Sequence, residues 1–334
     1  MERLIMNNKV AIVTGGAGFI GSHVVDQLLA SGFEVRVIDN FSGGHKNNLS
    51  HHDRDSNLSV FEIDVLDLPA SSKIFDGVNY VFHFAGRGDI VPSIERPYEY
   101  MTTNVLGTTR VLECARYAQV EKFIYAASSS CYGIASTPTN ESHKISPQYP
   151  YALSKYQGEQ VCFHWQNVYG LPVNSIRIFN AYGPRVRTTG VYGAVFGVFF
   201  KQKLAQKPLT IVGDGEQTRD FVFVTDVANA FVLAALSKNK GQIYNLGSGS
   251  PQKINLLAKL IGGELVFLPS RPGEPFCTWA DITKIKKELG WVPSVSFIQG
   301  VKEMLQHIDL WQDAPLWDEK SIAEATKTWF KYLG

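Results

Sequence analysis

The sequence predicts an α/β fold: a Rossmann-type, doubly wound parallel sheet with a smaller, interleaved C-terminal α/β lobe. Three observations predict it. Short β-branched runs alternate with amphipathic stretches through the first half, a glycine cluster follows the first run, and the alternation loosens after residue 180. Parallel strands require crossovers that pack on both sheet faces, so strands separated by helices imply this layering.

Residues 10–14, 34–39, 59–64, 80–84, 122–128 and 173–179 read as short buried strands. Amphipathic stretches at 20–30, 97–118 and 151–169 read as the helices between them. Beyond "NAYGPR", a helix is predicted over 194–205 and a strand over 209–212, with glycine-rich "GDGEQTRD" following. "FVFVTDVANAFVLAAL" and "GQIYNLGS" read as strand–helix–strand material returning to the first sheet. The expected division is a dinucleotide-binding domain over 6–180, rejoined by about 221–247, and a substrate lobe over 181–334.

Composition excludes several classes. The 334 residues carry 32 basic and 31 acidic side chains, a net charge of +1, so no nucleic acid or anionic membrane is expected as partner. The longest apolar run, residues 191–200, is about half of what a bilayer requires. "MERLIMNNKV" carries no apolar segment of signal-peptide length, and a soluble cytoplasmic protein is expected. Cys114, Cys131, Cys162 and Cys277 are widely spaced and read as free thiols. His45, His51 and His52 lack carboxylate or cysteine partners at ligand spacing, so a solvated loop and no metal are expected; His83, in an apolar strand, reads as structural.

"VAIVTGGAGFIGSHVV" sets glycines between a strand and a helix. Gly16, Gly18 and Gly21 satisfy G-x-G-x-x-G; Gly15, Gly18 and Gly21 satisfy the looser G-x-x-G-x-x-G. Lacking Cβ atoms, such a turn lets backbone N–H groups approach a pyrophosphate at the helix N-terminus, where the macrodipole favours an anion. The next strand ends in Asp39, whose carboxylate can accept from both ribose hydroxyls and repels a 2′-phosphate. NAD is therefore expected rather than NADP. Asp64 can hold the adenine amino group or act only as a turn residue.

"AASSSCYG" at 126–133 and "YALSK" at 151–155 carry the chemistry. A tyrosine hydroxyl titrates near ~10 and is a poor base at neutrality. Lys155 lies one helical turn from Tyr151 on the same face and is expected to lower the phenol's pKa, as is a bound nicotinamide cation. Ser128, at a strand end, is placed to bond a substrate hydroxyl and the Tyr151 oxygen. Y-x-x-x-K alone usually marks an exposed helix pair. Beside these serines, the glycine loop and Asp39, it describes a site that moves a proton and a hydride together.

T-G-x-x-G-x-x-G at 14–21, "DN" at 39–40, "DV" at 64–65, "HFAG" at 83–86, "SSSCYG", "YALSK", "RIFNAYGPR" and "RDFVFVTDVA" occur in the order of a known group. The chain resembles the extended short-chain dehydrogenase/reductases that act on nucleotide sugars. The resemblance implies a Rossmann domain with tightly held NAD, contacted by Gly15, Gly18, Phe19, Ile20, Gly21, Asp39, Asn40, Ser42, Asp64, Val65, Phe84, Ala85, Gly86, Asn104, Tyr151, Lys155 and Phe179. It implies a nucleoside diphosphate sugar bound by Ser128, Ser129, Ser130, Tyr151, Asn180, Arg219, Arg271 and Thr278, with the arginines on the diphosphate. Ser128, Tyr151 and Lys155 are then the catalytic residues. Paired helices in this family also imply a homodimer. Taken singly, Arg219 and Arg271 would read as surface ion pairs.

Relatives resembling 4,6-dehydratases carry acids where this chain has Ser129 and Ser130, and hydroxyls cannot replace them as acid or base near neutrality. C4 epimerisation moves only the C4 hydroxyl proton and the C4 hydride. The expected function is NAD-dependent C4 epimerisation of a UDP-hexose, the acetamido pair UDP-GlcNAc/UDP-GalNAc or UDP-Glc/UDP-Gal, because Thr278 stands where a larger gatekeeper restricts some relatives. A glucuronate 4-epimerase ranks second and a dehydratase third. Arg87 and Asp89 depart from the family pattern, and local ion pairing is their expected role.

Overall fold

The computed structural model describes residues 9–188, 195–271 and 273–333. Strands β1 (Val10–Thr14), β2 (Glu34–Asp39), β3 (Leu58–Glu62), β4 (Tyr80–His83), β5 (Lys122–Ser128), β6 (Val173–Ile178) and β11 (Gln242–Leu246) form one sheet. Its order is β11-β6-β5-β4-β1-β2-β3, and every pairing is parallel. β5 and β6 are buried at every position, and the polar Asn174, Ser175 and Arg177 of β6 are tolerated there because each is hydrogen-bonded. Three predicted strand ends retract, to Glu62, His83 and Ile178, because Asp64, Phe84 and Phe179 leave the ladder and turn toward the cleft described below.

Two cores cover the sheet. On one face Val24, Val25 and Leu28 of α1 (Phe19–Ala30) join Val227 and Phe231 of α7 (Val224–Leu236) over Ala11, Val13, Val35 and Val37. On the other, Val111 and Leu112 of α4 (Thr108–Tyr117) and Cys162 of α5 (Pro150–Tyr169) cover Ile12, Val81 and Phe123. The stretch predicted as one helix over 97–118 is interrupted. After α2 (Ile90–Glu95) come α3 (Pro97–Met101), a π-helical segment (Thr102–Gly107) and then α4. Such wide turns cluster at functional sites.

The second lobe surrounds a third, aromatic-rich core of Tyr182, Phe196, Phe199, Phe200, Phe221 and Trp311. β7 (Asn180–Tyr182) pairs with β10 (Phe221–Phe223), β8 (Leu209–Val212) with β13 (Leu265–Leu268), and β9 (Thr218–Arg219) with β12 (Gln252–Lys253). Its helices are α6 (Val195–Leu204), α8 (Ile254–Ile261) and α10 (Phe297–Gln306), whereas α9 (Thr283–Leu289) packs Ile285 into the first sheet core and α11 (Glu319–Leu333) lies against α2. The predicted start of α6, residue 194, lies outside the described residues, as do residues 191–193 of the apolar run at 191–200.

Two histidines are structural. His83 is fully buried, with Nδ1 at 2.6 Å from the Thr14 hydroxyl and Nε2 at 2.9 Å from that of Thr108, and burial pushes its pKa down to about 3. His23 contacts the Pro184 carbonyl through Nε2 at 3.1 Å, and burial, aided by Arg185, lowers it to about 4. In the unfolded chain both titrate near ~6.5. Between these limits the unfolded state binds more protons, so stability is expected to fall as the pH drops below about 6.5, by about 1.4 kcal/mol per pH unit for each histidine. Urea denaturation from pH 7 to pH 4 measures this. His23→Gln, which can still donate to Pro184, should flatten the slope by one histidine's share.

Candidate active site

At the carboxyl ends of the parallel strands, where the connections from β1 and β4 diverge to opposite sides, the protein forms a cleft of about 860 Å³. Open α/β sheets bind ligands at this switch point. Gly15 has φ +68°, and a Cβ there would lie 2.7 Å from the Ala85 nitrogen. A Cβ on Gly21 would lie 2.2 Å from the Gly15 carbonyl oxygen, so only glycine lets α1 start this close to β1. No side chain caps α1, and Phe19, Ile20 and Gly21 of its first turn line the cleft, as does Gly18 before it. The turn is thus a cradle with donors available for an anion.

Asp39 is buried at the end of β2, where its carboxylate accepts the N–H groups of Ala17 at 3.0 Å and Phe41 at 2.8 Å. Burial raises its pKa and these two bonds oppose the rise. Asn40 donates to Asp64 at 2.7 Å, and Asp64 also accepts the Leu66 N–H at 2.9 Å. Ser42, Val65, Phe84, Ala85, Gly86 and Phe179 line the same end. Asn104 does not line the cleft. It is buried behind the wall, where Oδ1 accepts the Arg87 N–H at 2.7 Å and Nδ2 donates to the Arg87 carbonyl at 3.0 Å and to Ser154 at 2.9 Å. Ser154 donates to the Tyr151 carbonyl at 2.8 Å, so Asn104 positions the loop after β4 and the first turn of α5.

The chemical end joins β5 to α5. The Ser128 hydroxyl neighbours the Tyr151 phenol and acts to lower its pKa. The Ser128 hydroxyl also accepts the Ser130 N–H at 3.2 Å, which fixes the turn carrying Ser129 and Ser130. Lys155 is buried with its ammonium 4.5 Å from the centre of the Tyr125 ring, a cation–π contact. The expectation that Lys155 lowers Tyr151 needs correction for this geometry. Burial raises Tyr151 although the neighbouring Ser128 hydroxyl acts to lower it, and burial lowers Lys155 to about 8. Each group is held toward its neutral form because the cleft withholds water from both.

At the other end Arg219 and Arg271, both nearly buried, converge on Glu274 at 2.6 and 3.7 Å. Thr278 donates to Asn180 at 2.8 Å and accepts the Asp220 N–H at 3.1 Å, so its hydroxyl is engaged within the wall of the cleft. Several cleft residues carry little signal in sequence. Asp89 pairs with Arg187 across the lobes at 3.1 Å and also raises Tyr151, while Arg87 pairs with Glu99 at 3.2 Å. Tyr149 and Trp329 also line the cleft. His51 and His52 do have a carboxylate partner. Both Nε2 atoms lie 2.9 Å from Asp26 of α1, a partner distant in sequence, and Arg185 neutralises that carboxylate at 2.8 Å.

Residues 11–247 match the model of the NAD dependent epimerase/dehydratase family. The chain belongs to that family. It is 35% identical to a UDP-glucose 4-epimerase of Mycolicibacterium smegmatis over 304 residues, covering 88% of this chain and 97% of the relative. A solved UDP-N-acetylglucosamine 4-epimerase from Methanobrevibacter ruminantium M1, in complex with UDP-N-acetylmuramic acid, superposes with a TM-score of 0.85 at 31% identity, covering 92% and 99% of the two chains. A UDP-glucuronic acid 4-epimerase from Bacillus cereus, in complex with UDP-glucuronic acid and NAD, gives 0.84 at 32% identity, covering 90% and 99%. As a family member this is an NAD-dependent enzyme, and the uncapped α1 turn, the close glycine approach and the strand-end Asp39 fit that dinucleotide. Among the described residues no helix is long and apolar enough to cross a membrane.

Proposed function

We propose that this epimerase/dehydratase family member epimerises a UDP-hexose at C4 through a 4-keto sugar. The observation that carries the reading is the cleft's polarity. Tyr151, Ser128 and Lys155 stand at one end, hydroxyls rather than carboxylates occupy positions 129 and 130, and two converging guanidinium groups stand at the other. Guanidinium forks suit a diphosphate, and anchoring it there directs the sugar ring toward Tyr151. Gly15, Gly18, Gly21 and Asp39 would hold the dinucleotide. NAD, when bound, would supply the acceptor for the C4 hydride and, once reduced, its return to the other face of the ketone, and in the oxidised form a positive charge that favours the phenolate. Tyr151 takes the C4 hydroxyl proton while Ser128 orients that hydroxyl. Lys155 keeps a cation within the buried phenol pocket. After the ketone turns over, Tyr151 returns the proton to the epimeric oxygen. Asp89 is the carboxylate nearest in effect to Tyr151, but Arg187 pairs with it, and elimination at C5–C6 gains no free acid from it.

The small, tethered Thr278 supports acceptance of a 2-acetamido group, so UDP-GlcNAc and UDP-GalNAc are expected to interconvert, alongside UDP-Glc and UDP-Gal. One observation favours a second reading: Arg87 and Arg187 line the cleft and could meet a uronate carboxylate. Incubation with UDP-glucose, UDP-N-acetylglucosamine and UDP-glucuronate, followed by NMR of the C4 proton, decides between them. Conversion of only the non-acetylated pair overturns the Thr278 inference, and a 4-keto-6-deoxy product overturns epimerisation. We also infer a homodimer, because Leu106, Tyr117, Leu153 and Val168 leave apolar side chains exposed along the π-helical segment, α4 and α5. Light scattering should give twice the 37.1 kDa chain mass at micromolar concentration. Free Cys114, Cys131, Cys162 and Cys277 support a cytoplasmic location.

A further inference from the structure

We propose that Tyr149 and Trp329 form an aromatic wall of the sugar subsite, so that the C-terminal helix helps to set which hexose the enzyme accepts. The proposal rests on the UDP-hexose reading above and adds, in Trp329, a determinant that lies outside the family-matched residues 11–247. Tyr149 precedes Pro150, and the proline ring holds it in extended conformation at φ −148°, ψ 163°. Its ring lies nearly parallel to that of Tyr151, with centroids 6.4 Å apart and an 8° interplanar angle. Its hydroxyl lies beside Ser130, and it is close enough to Arg219 and Glu274 to feel their charges. Tyr149 therefore spans the interval between the phenol at the reacting carbon and the guanidinium groups at the diphosphate. In a nucleoside diphosphate hexose that interval is filled by the sugar ring.

Trp329 closes this side. Ile322, Thr326 and Trp329 form the buried stripe of α11, at the spacing of one helical face. The stripe turns the indole into the cleft, 6.0 Å from the Tyr149 ring at 45°. α11 is fastened to α2 by Thr328, whose hydroxyl donates to Glu95 at 3.2 Å, and α2 begins at Ile90 and Val91, which also line the cleft. Two tilted aromatic rings offer a hexose an apolar surface for its C–H face and for the methyl of an acetamido group, with little rotamer entropy to lose.

The test uses NAD-loaded full-length protein and compares calorimetric affinities for UDP and UDP-N-acetylglucosamine in wild type, Trp329→Ala and Trp329→Phe. Trp329→Ala should weaken UDP-N-acetylglucosamine about tenfold while UDP stays within about twofold, because only the sugar meets the wall. Trp329→Phe, which preserves the packing of α11, should lie between wild type and the alanine variant. Equal losses for UDP and the UDP-sugar in both variants, or an unchanged UDP-sugar affinity in Trp329→Ala, would overturn the proposal. A wild type that binds UDP but neither UDP-N-acetylglucosamine nor UDP-glucose overturns the epimerase reading and the wall with it.

Discussion

Tyr151→Phe is expected to lower kcat by about 10²–10⁴-fold, the usual contribution of a positioned proton-transfer group, while the purified protein keeps its full complement of NAD. The substitution removes one oxygen and leaves the ring that lies parallel to Tyr149. Packing at the start of α5 should therefore persist, and a loss of turnover reports the proton rather than the fold. The readings to compare are single-turnover epimerisation and the cofactor content of denatured protein. Ser128→Ala should act in the same direction but less severely, since it removes the hydroxyl that opposes burial in setting the Tyr151 pKa. Full activity in Tyr151→Phe would require another base, and the assignment would fail.

What was legible in the sequence follows from the range of the interactions involved. β1, β2, β5 and β8 keep the predicted bounds because their signal is local: a run of apolar residues long enough to cross the sheet or its partner. The glycine loop and Tyr151–Lys155 pair were legible for the same reason, as spacing alone puts their groups on one turn or one helical face. The sign of the electrostatics was not. Periodicity places Lys155 beside Tyr151, but how deeply β5, α4 and α5 bury both is a tertiary quantity, and burial drives each toward neutrality. Asn104 has its place because a π-helical segment turns it inward onto Arg87 and Ser154, and no apolar pattern encodes that segment. Asp26 meets His51 and His52, and Asp89 meets Arg187, across chain separations that sequence spacing cannot bridge. Trp329 carries no spacing motif that marks it for a cleft; its position there depends on where α11 docks.

The largest loss of stability is expected from Arg177→Met, about 3–5 kcal/mol by urea denaturation, because it strands a buried carboxylate. Arg177 and Glu159 are 3% and 1% exposed, too little for water to replace either partner. Their contact is bidentate, with Nη2 to Oε1 at 2.6 Å and Nε to Oε2 at 3.0 Å, and Ser175 donates to Oε2 at 2.7 Å. Nη1 extends the network to the Tyr132 hydroxyl at 2.7 Å, which donates to Asn245 at 2.7 Å, so β6 and β11 and the turn after β5 are locked to α5. Removing both charges in Arg177→Met/Glu159→Leu should recover part of the loss, since the stranded charge, not the missing attraction, accounts for most of it. The network also bears on catalysis. Glu159 is one turn beyond Lys155 on α5, and its charge helps hold the lysine's pKa up against burial. Glu159→Gln should therefore depress Lys155 below about 8 and shift the loss of its ammonium to lower pH. In the pH profile of kcat, any limb set by Lys155 should move toward acid in that variant and stay in place when a surface acid such as Glu62 is neutralised. An Arg177→Met protein within about 1 kcal/mol of wild type would mean that water or another cation reaches Glu159, and that the same buried face of α5 does not isolate Lys155.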